Sequence, residues 1–118
     1  MPVALLSPVL VFIGGGLGAL LRYLAALAVG GPLATLTVNL AGSFAIGLLA
    51  AMFPPDATQL RLFFMTGVLG GFTTFSAFSL DAIGLYQRGQ PGAALAYVAA
   101  SVILSLAAAA AGLALARA

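Results

Sequence analysis

The chain has 118 residues, 64% of them hydrophobic and only 5% charged, and four basic against two acidic side chains leave a formal net charge of +2. Soluble domains carry about a quarter charged residues, so these six charges cannot cover a water-facing surface, and lipid is the expected solvent. Cysteine, histidine and tryptophan are absent; this excludes disulfides, thiol redox chemistry, haem ligation by His or Cys and the usual zinc sites. Few titratable groups remain for enzyme chemistry, and the scattered arginines form no basic patch for nucleic acid.

A membrane-spanning helix needs about 20 mostly apolar residues, and four such stretches follow one another. The first covers 3–29 and ends at Gly30-Gly31-Pro32. Met1 to Ser7 has neither the basic start nor the small-residue cleavage site of a secretory signal, so this stretch is expected to stay as a span. The second covers 33–53 and is stopped by Pro54-Pro55-Asp56. The third covers 59–86 and is followed by the turn Gln87-Arg88-Gly89-Gln90-Pro91-Gly92. The fourth covers 93–116. With such short loops, neighbouring spans form antiparallel hairpins, and the expected organisation is a single four-helix transmembrane domain over 1–118.

Orientation follows the distribution of Lys and Arg on the two sides. Arg61 and Arg117 fall on the side of the termini, Arg88 on the other, and Arg22 near that other end of the first helix. A count of two against two gives little bias. Either the chain inserts one way on a weak bias, or it inserts both ways and pairs as an antiparallel dimer. Gly14, Gly15, Gly16 and Gly18 in the first span, Gly42 and Gly47 in the second and the Ala-rich fourth span favour close helix contact in lipid.

Polar groups inside a span usually face protein or water, so their spacing carries information. Thr35, Asn39 and Ser43 are four residues apart and share one face of the second span. The Asn39 amide offers two donors suited to an anion, a carbonyl suited to a cation, and equally a hydrogen bond to a neighbouring helix. Tyr97, Ser101 and Ser105 form a similar stripe on the fourth span, either a hydroxyl-lined track or a packed seam. In the third span, Gly70-Gly71 and Thr73-Thr74 weaken the helix mid-membrane. A break there frees carbonyls that lipid tolerates only where protein, water or an ion satisfies them, and such carbonyls can hold a cation. Phe75 and Phe78 share a face beyond the weak point. Their rings can pack on lipid or helices, or turn positive edges toward an anion. Arg22 either snorkels to the interface or draws anions into a vestibule. Asp81, near the end of the third span, can pair with an arginine, cap a neighbouring helix or contact water.

Three segments, in this order, resemble the Fluc (CrcB) family of fluoride channels: Gly15-Gly16-Leu17-Gly18-Ala19-Leu20-Leu21-Arg22-Tyr23, Thr35-Leu36-Thr37-Val38-Asn39-Leu40-Ala41-Gly42-Ser43-Phe44, and Gly70-Gly71-Phe72-Thr73-Thr74-Phe75-Ser76-Ala77-Phe78-Ser79. The resemblance implies an all-α membrane protein of four transmembrane helices with a broken third helix, in a cell inner or plasma membrane, assembled as a dual-topology antiparallel homodimer with two fluoride pores. It implies pore roles for Asn39, Phe75 and Phe78, with Thr35 and Ser43 on the same stripe and Tyr97, Ser101 and Ser105 as a polar track. It implies a vestibule role for Arg22, and a structural sodium ion at the dimer centre held by the backbone carbonyls of Gly70 and Thr73 from each subunit. The chain departs from the family pattern at Ala109, where a hydroxyl often continues the track, at Ala77 and Ala34, which replace a common threonine and glycine, and at Asp81, where glutamate is frequent.

The expected function is passive, electrodiffusive export of fluoride. A small dual-topology multidrug transporter is the main rival. It would need a membrane-embedded acid for proton exchange, and the first two spans contain none. A non-transporting assembly subunit of a membrane complex is the second rival; the polar stripes and the aromatic pair argue against it.

Overall fold

The computed structural model describes residues 2–118, leaving the Val3 side chain aside. Four helical stretches, Ala4–Val29, Gly31–Met52, Thr58–Gln87 and Pro91–Arg117, are each long and apolar enough to cross a membrane. Five helices make them up: α1 (Val3–Val29), α2 (Gly31–Met52), α3 (58–72), α4 (Phe75–Gln87) and α5 (Pro91–Arg117). Large apolar side chains point outward along the helices, with Phe12 81%, Leu80 74% and Leu95 72% exposed. Such exposure suits hydrocarbon and would drive association in water.

Local chemistry sets the helix ends. Gly30 and Gly31 adopt φ of +76° and +62°, a region that side chains with a Cβ rarely enter. This lets α2 start two residues before the expected Leu33, with Pro32 in its first turn, where a missing N–H costs nothing. Pro91 opens α5 in the same way. The Arg61 side chain donates to the Phe53 carbonyl at 2.9 Å, which satisfies an otherwise free acceptor at the C-terminal end of α2.

Two close helix pairs build the protein. α1 lies along α3, and α2 lies along α5. Glycines permit both approaches. A Cβ on Gly18 would collide with the Val68 carbonyl, and one on Gly14 would sit 3.1 Å from the Gly67 Cα. A Cβ on Gly47 would strike the Ala109 carbonyl, and one on Gly112 the Phe44 carbonyl. Most of the small residues that pointed to close contact are thus used within one chain, although Gly16 has nothing within 4 Å of its Cβ position. Ala109 falls at the tight α2–α5 crossing, with its carbonyl against Gly47.

The third span joins the two pairs. From Arg61 to Leu69 it winds as a π-helix, with the Gly70 N–H reaching the Met65 carbonyl. It runs against α1 as far as Phe72, then breaks: Thr73 (φ −88°, ψ 157°) and Thr74 (φ −152°, ψ 125°) are extended. Beyond the break α4 leaves α1 and packs on α5 and α2. The whole is a slab of 53 × 33 × 22 Å. Its thinnest dimension is only about two helix diameters, so one copy has no room to enclose a polar passage.

Candidate functional site

The break determines the site. An unbroken helix would have Thr74, Phe75, Ser76 and Ala77 donate to the carbonyls of Gly70, Gly71, Phe72 and Thr73. Instead the Thr74 N–H donates to Asn39 Oδ1 at 2.8 Å, and Asn39 Nδ2 donates to the Thr74 carbonyl at 2.9 Å. One amide side chain on α2 thus grips both backbone groups of a single extended residue. Thr74 then caps α4, its Oγ1 accepting from the Ala77 N–H at 3.1 Å, the ordinary role of a threonine at a helix start. Among the described residues, no backbone N–H crosses the break to the carbonyls of Gly70 or Thr73.

Beside the break lies an open groove of about 460 Å³. Asn39, Ser43, Gly70, Thr73, Phe75, Phe78, Ser101 and Ser105 all line it, with apolar side chains between them. Most of the residues singled out in the sequence therefore share one surface. After its bond to Thr74, the Asn39 amide keeps one N–H without a partner among the described residues. The Ser101 hydroxyl is buried, the residue being 6% exposed, and has no hydrogen-bond partner in the chain. Phe75 and Phe78 pack edge to face, centroids 5.4 Å apart at 63°. Phe78 is buried, whereas Phe75 is 78% exposed at the slab surface.

Two residues of the stripes lie elsewhere. Thr35 Oγ1 donates to Asp81 Oδ2 at 2.7 Å, and the Tyr97 hydroxyl donates to the same oxygen at 3.3 Å. Tyr97 also stacks against Phe78, centroids 5.4 Å apart. Asp81, on α4, thus gathers α2 and α5 through two hydroxyls. The sequence offered it an arginine, a helix cap or water, and its partners are none of these. Thr74 was overlooked as a cap, although a β-branched hydroxyl residue before an apolar run is a legible N-cap signal.

Arg22 sits on the far side of the break from the groove. Its Nε donates to the Gly71 carbonyl at 3.1 Å, and it borders a cleft of about 100 Å³ with Ala34, Thr35, Thr74 and Ala77. It is therefore engaged inside the membrane span and does not belong with the loop charges. With Arg22 removed from the count, Arg61 and Arg117 stand against Arg88.

The arrangement joins spare N–H and O–H donors, aromatic edges and unoccupied carbonyls along one wall. It supplies small-ion coordination, and its donors favour anions. The sequence model of the family described as CrcB-like protein, Camphor Resistance (CrcB), matches residues 9–113. A protein of Rhodospirillum centenum named fluoride-specific ion channel FluC is 55% identical, over 88% of this chain and 90% of its own length. Proteins of the same name from Paracoccus denitrificans and Rhizobium etli are 51% and 49% identical; the first match covers 91% of each chain, the second 97% of this chain and 98% of the relative. With its four membrane-crossing helices, this chain is a multi-pass membrane protein and a member of the CrcB-like family.

Proposed function

We propose that the chain conducts fluoride passively across the membrane, through two pores in an antiparallel, dual-topology homodimer. The observation that carries this reading is the groove, where free donors and the edges of a phenylalanine pair line one open wall. The relatives named as fluoride-specific channels supply the ion. Stripping water from a small anion is costly unless donors replace it. The spare Asn39 N–H and the Ser101 and Ser105 hydroxyls replace part of that shell, and the ring edges of Phe75 and Phe78 add weak positive potential. Thr35 and Tyr97, tied to Asp81, carry the polar lining beyond the aromatic pair. No fixed charge lines the groove, so binding stays weak enough for the ion to leave, as conduction requires.

A second, inverted copy supports this reading in two ways. It covers the exposed Phe75 and closes the open groove, which a 22 Å slab cannot do alone. It also fits a charge difference of only one between the two sides, too small to impose one orientation.

The carbonyls of Gly70 and Thr73 face the groove without backbone donors, and oxygens of this kind suit a sodium ion. They would hold it where the two copies meet, where its charge would offset converging carbonyl dipoles. The test is fluoride efflux from liposomes holding the purified protein in sodium buffer. Efflux well above that of empty liposomes is expected, and equal rates would end the channel reading. Single-molecule subunit counting and accessibility labelling of a cysteine placed at Gly89 test the dimer: two copies and labelling from both sides are expected, and labelling from one side alone would refute dual topology.

A further inference from the structure

The conduction path leaves Arg22 without a task. A guanidinium inside a membrane span is costly and is normally kept only where it has a defined partner. Here the partner is the Gly71 carbonyl, 3.1 Å from Nε. This carbonyl belongs to the second of the four residues whose helical donors the break removes. We propose that Arg22 is a positioning residue, which holds the third span broken by drawing the Gly71 carbonyl toward α1 while the Gly70 and Thr73 carbonyls stay along the groove.

The geometry makes the grip two-sided. From α2, Asn39 takes both backbone groups of Thr74. From α1, Arg22 takes Gly71, three residues earlier. Gly71 is held close to α1 in any case, since a Cβ there would collide with the Gly15 carbonyl and lie 3.1 Å from the Ala19 nitrogen. A carbonyl facing α1 at that distance has no water to bond, and Arg22 supplies the donor. Without it, the cheapest way to satisfy Gly71 is to rewind the helix, with the Phe75 N–H returning to Gly71 and the Thr74 N–H to Gly70. Rewinding takes Thr74 from Asn39 and hides the Gly70 carbonyl. Arg22 thereby acts on the groove without touching it. In its cation part this inference rests on the proposed sodium site; in its backbone part it does not.

The experiment compares the full-length parent with Arg22→Lys, Arg22→Gln and Arg22→Met in lipid nanodiscs, by amide hydrogen exchange over residues 70–77, and in liposomes, by the sodium dependence of fluoride efflux. Exchange at Thr74 to Ala77 is expected to change about tenfold or more in Arg22→Met. Arg22→Gln, which keeps an N–H donor without the charge, should fall between Arg22→Met and the parent. Half-maximal efflux should need several times more sodium in both. If Arg22→Met exchanges within twofold of the parent, the positioning role is wrong. If Arg22→Lys matches the parent throughout, and Arg22→Gln and Arg22→Met lose efflux with unchanged exchange, Arg22 acts by charge alone and the inference falls. If exchange responds as expected but parental efflux ignores sodium, the cation reading fails and the backbone role stands. Should Arg22→Met not fold, the Gln and Lys variants carry the same comparison.

Discussion

Replacing Asn39 with aspartate separates the two jobs of its side chain. Oδ1 still accepts from the Thr74 N–H, 2.8 Å away, but the donor to the Thr74 carbonyl, now at 2.9 Å, becomes a second oxygen. An unsatisfied carbonyl costs about 1–3 kcal/mol. The new charge also lies in the groove. At about 5 Å from a passing anion, with an effective dielectric near 20, it adds roughly 3 kcal/mol of repulsion. Together these come to about 4–6 kcal/mol, and at ~1.4 kcal/mol per tenfold the fluoride flux should drop by about a thousandfold or more. Efflux from liposomes, recorded with a fluoride electrode at matched protein density, measures the fall, and the thermal midpoint in detergent reports the part due to the loosened break. Flux within twofold of the parent would refute both the groove as the conduction path and the donor role of Asn39.

Other substitutions test other parts of the structure. Ser101→Ala removes a buried hydroxyl without a partner, so the thermal midpoint should hold or rise while fluoride efflux drops about tenfold; a large loss of stability would mean the hydroxyl has a structural partner. Thr74→Ala removes the cap on Ala77 and should destabilise by about 1 kcal/mol, read as a midpoint lowered by a few degrees. Gly18→Ala should sharply reduce the yield of folded protein, because the new methyl meets the Val68 backbone, whereas Gly16→Ala should express at parental levels. Equal yields for the two would contradict the α1–α3 contact.

Hydropathy made the four helices legible because lipid demands about 20 apolar residues per span, and Pro and Gly mark where each ends. The break was legible for a related reason: Gly70-Gly71 and Thr73-Thr74 are poor helix formers in a segment that otherwise forms one. Spacing by four brought Asn39 and Ser43, and separately Ser101 and Ser105, to a common wall. It failed to separate Thr35 and Tyr97 from them, because a stripe records which face a residue shares and not which acceptor lies opposite. Asp81 is that acceptor, and it meets both hydroxyls only because α4 changes partners after the break. Arg22 misled for a similar reason. Seven residues from the end of α1 it is placed like an interfacial charge, and only the depth of Gly71 beside it turns it inward. The glycines were correctly read as close contacts, but sequence alone could not assign those contacts to the same chain.

The crossing of the third span from α1 to α5 bears on the order in which the protein is made. The first two spans emerge together yet touch each other sparingly; α1 has its main partner in 58–72, and α2 must wait for α5, the last helix synthesised. No early hairpin is therefore a stable piece, and the chain is tied together only when its final 27 residues enter the bilayer. A nascent chain stalled before Pro91 would leave Gly47 and its neighbours on α2 open to the helices of other proteins. Quality-control proteases have that interval in which to sort failed copies from good ones.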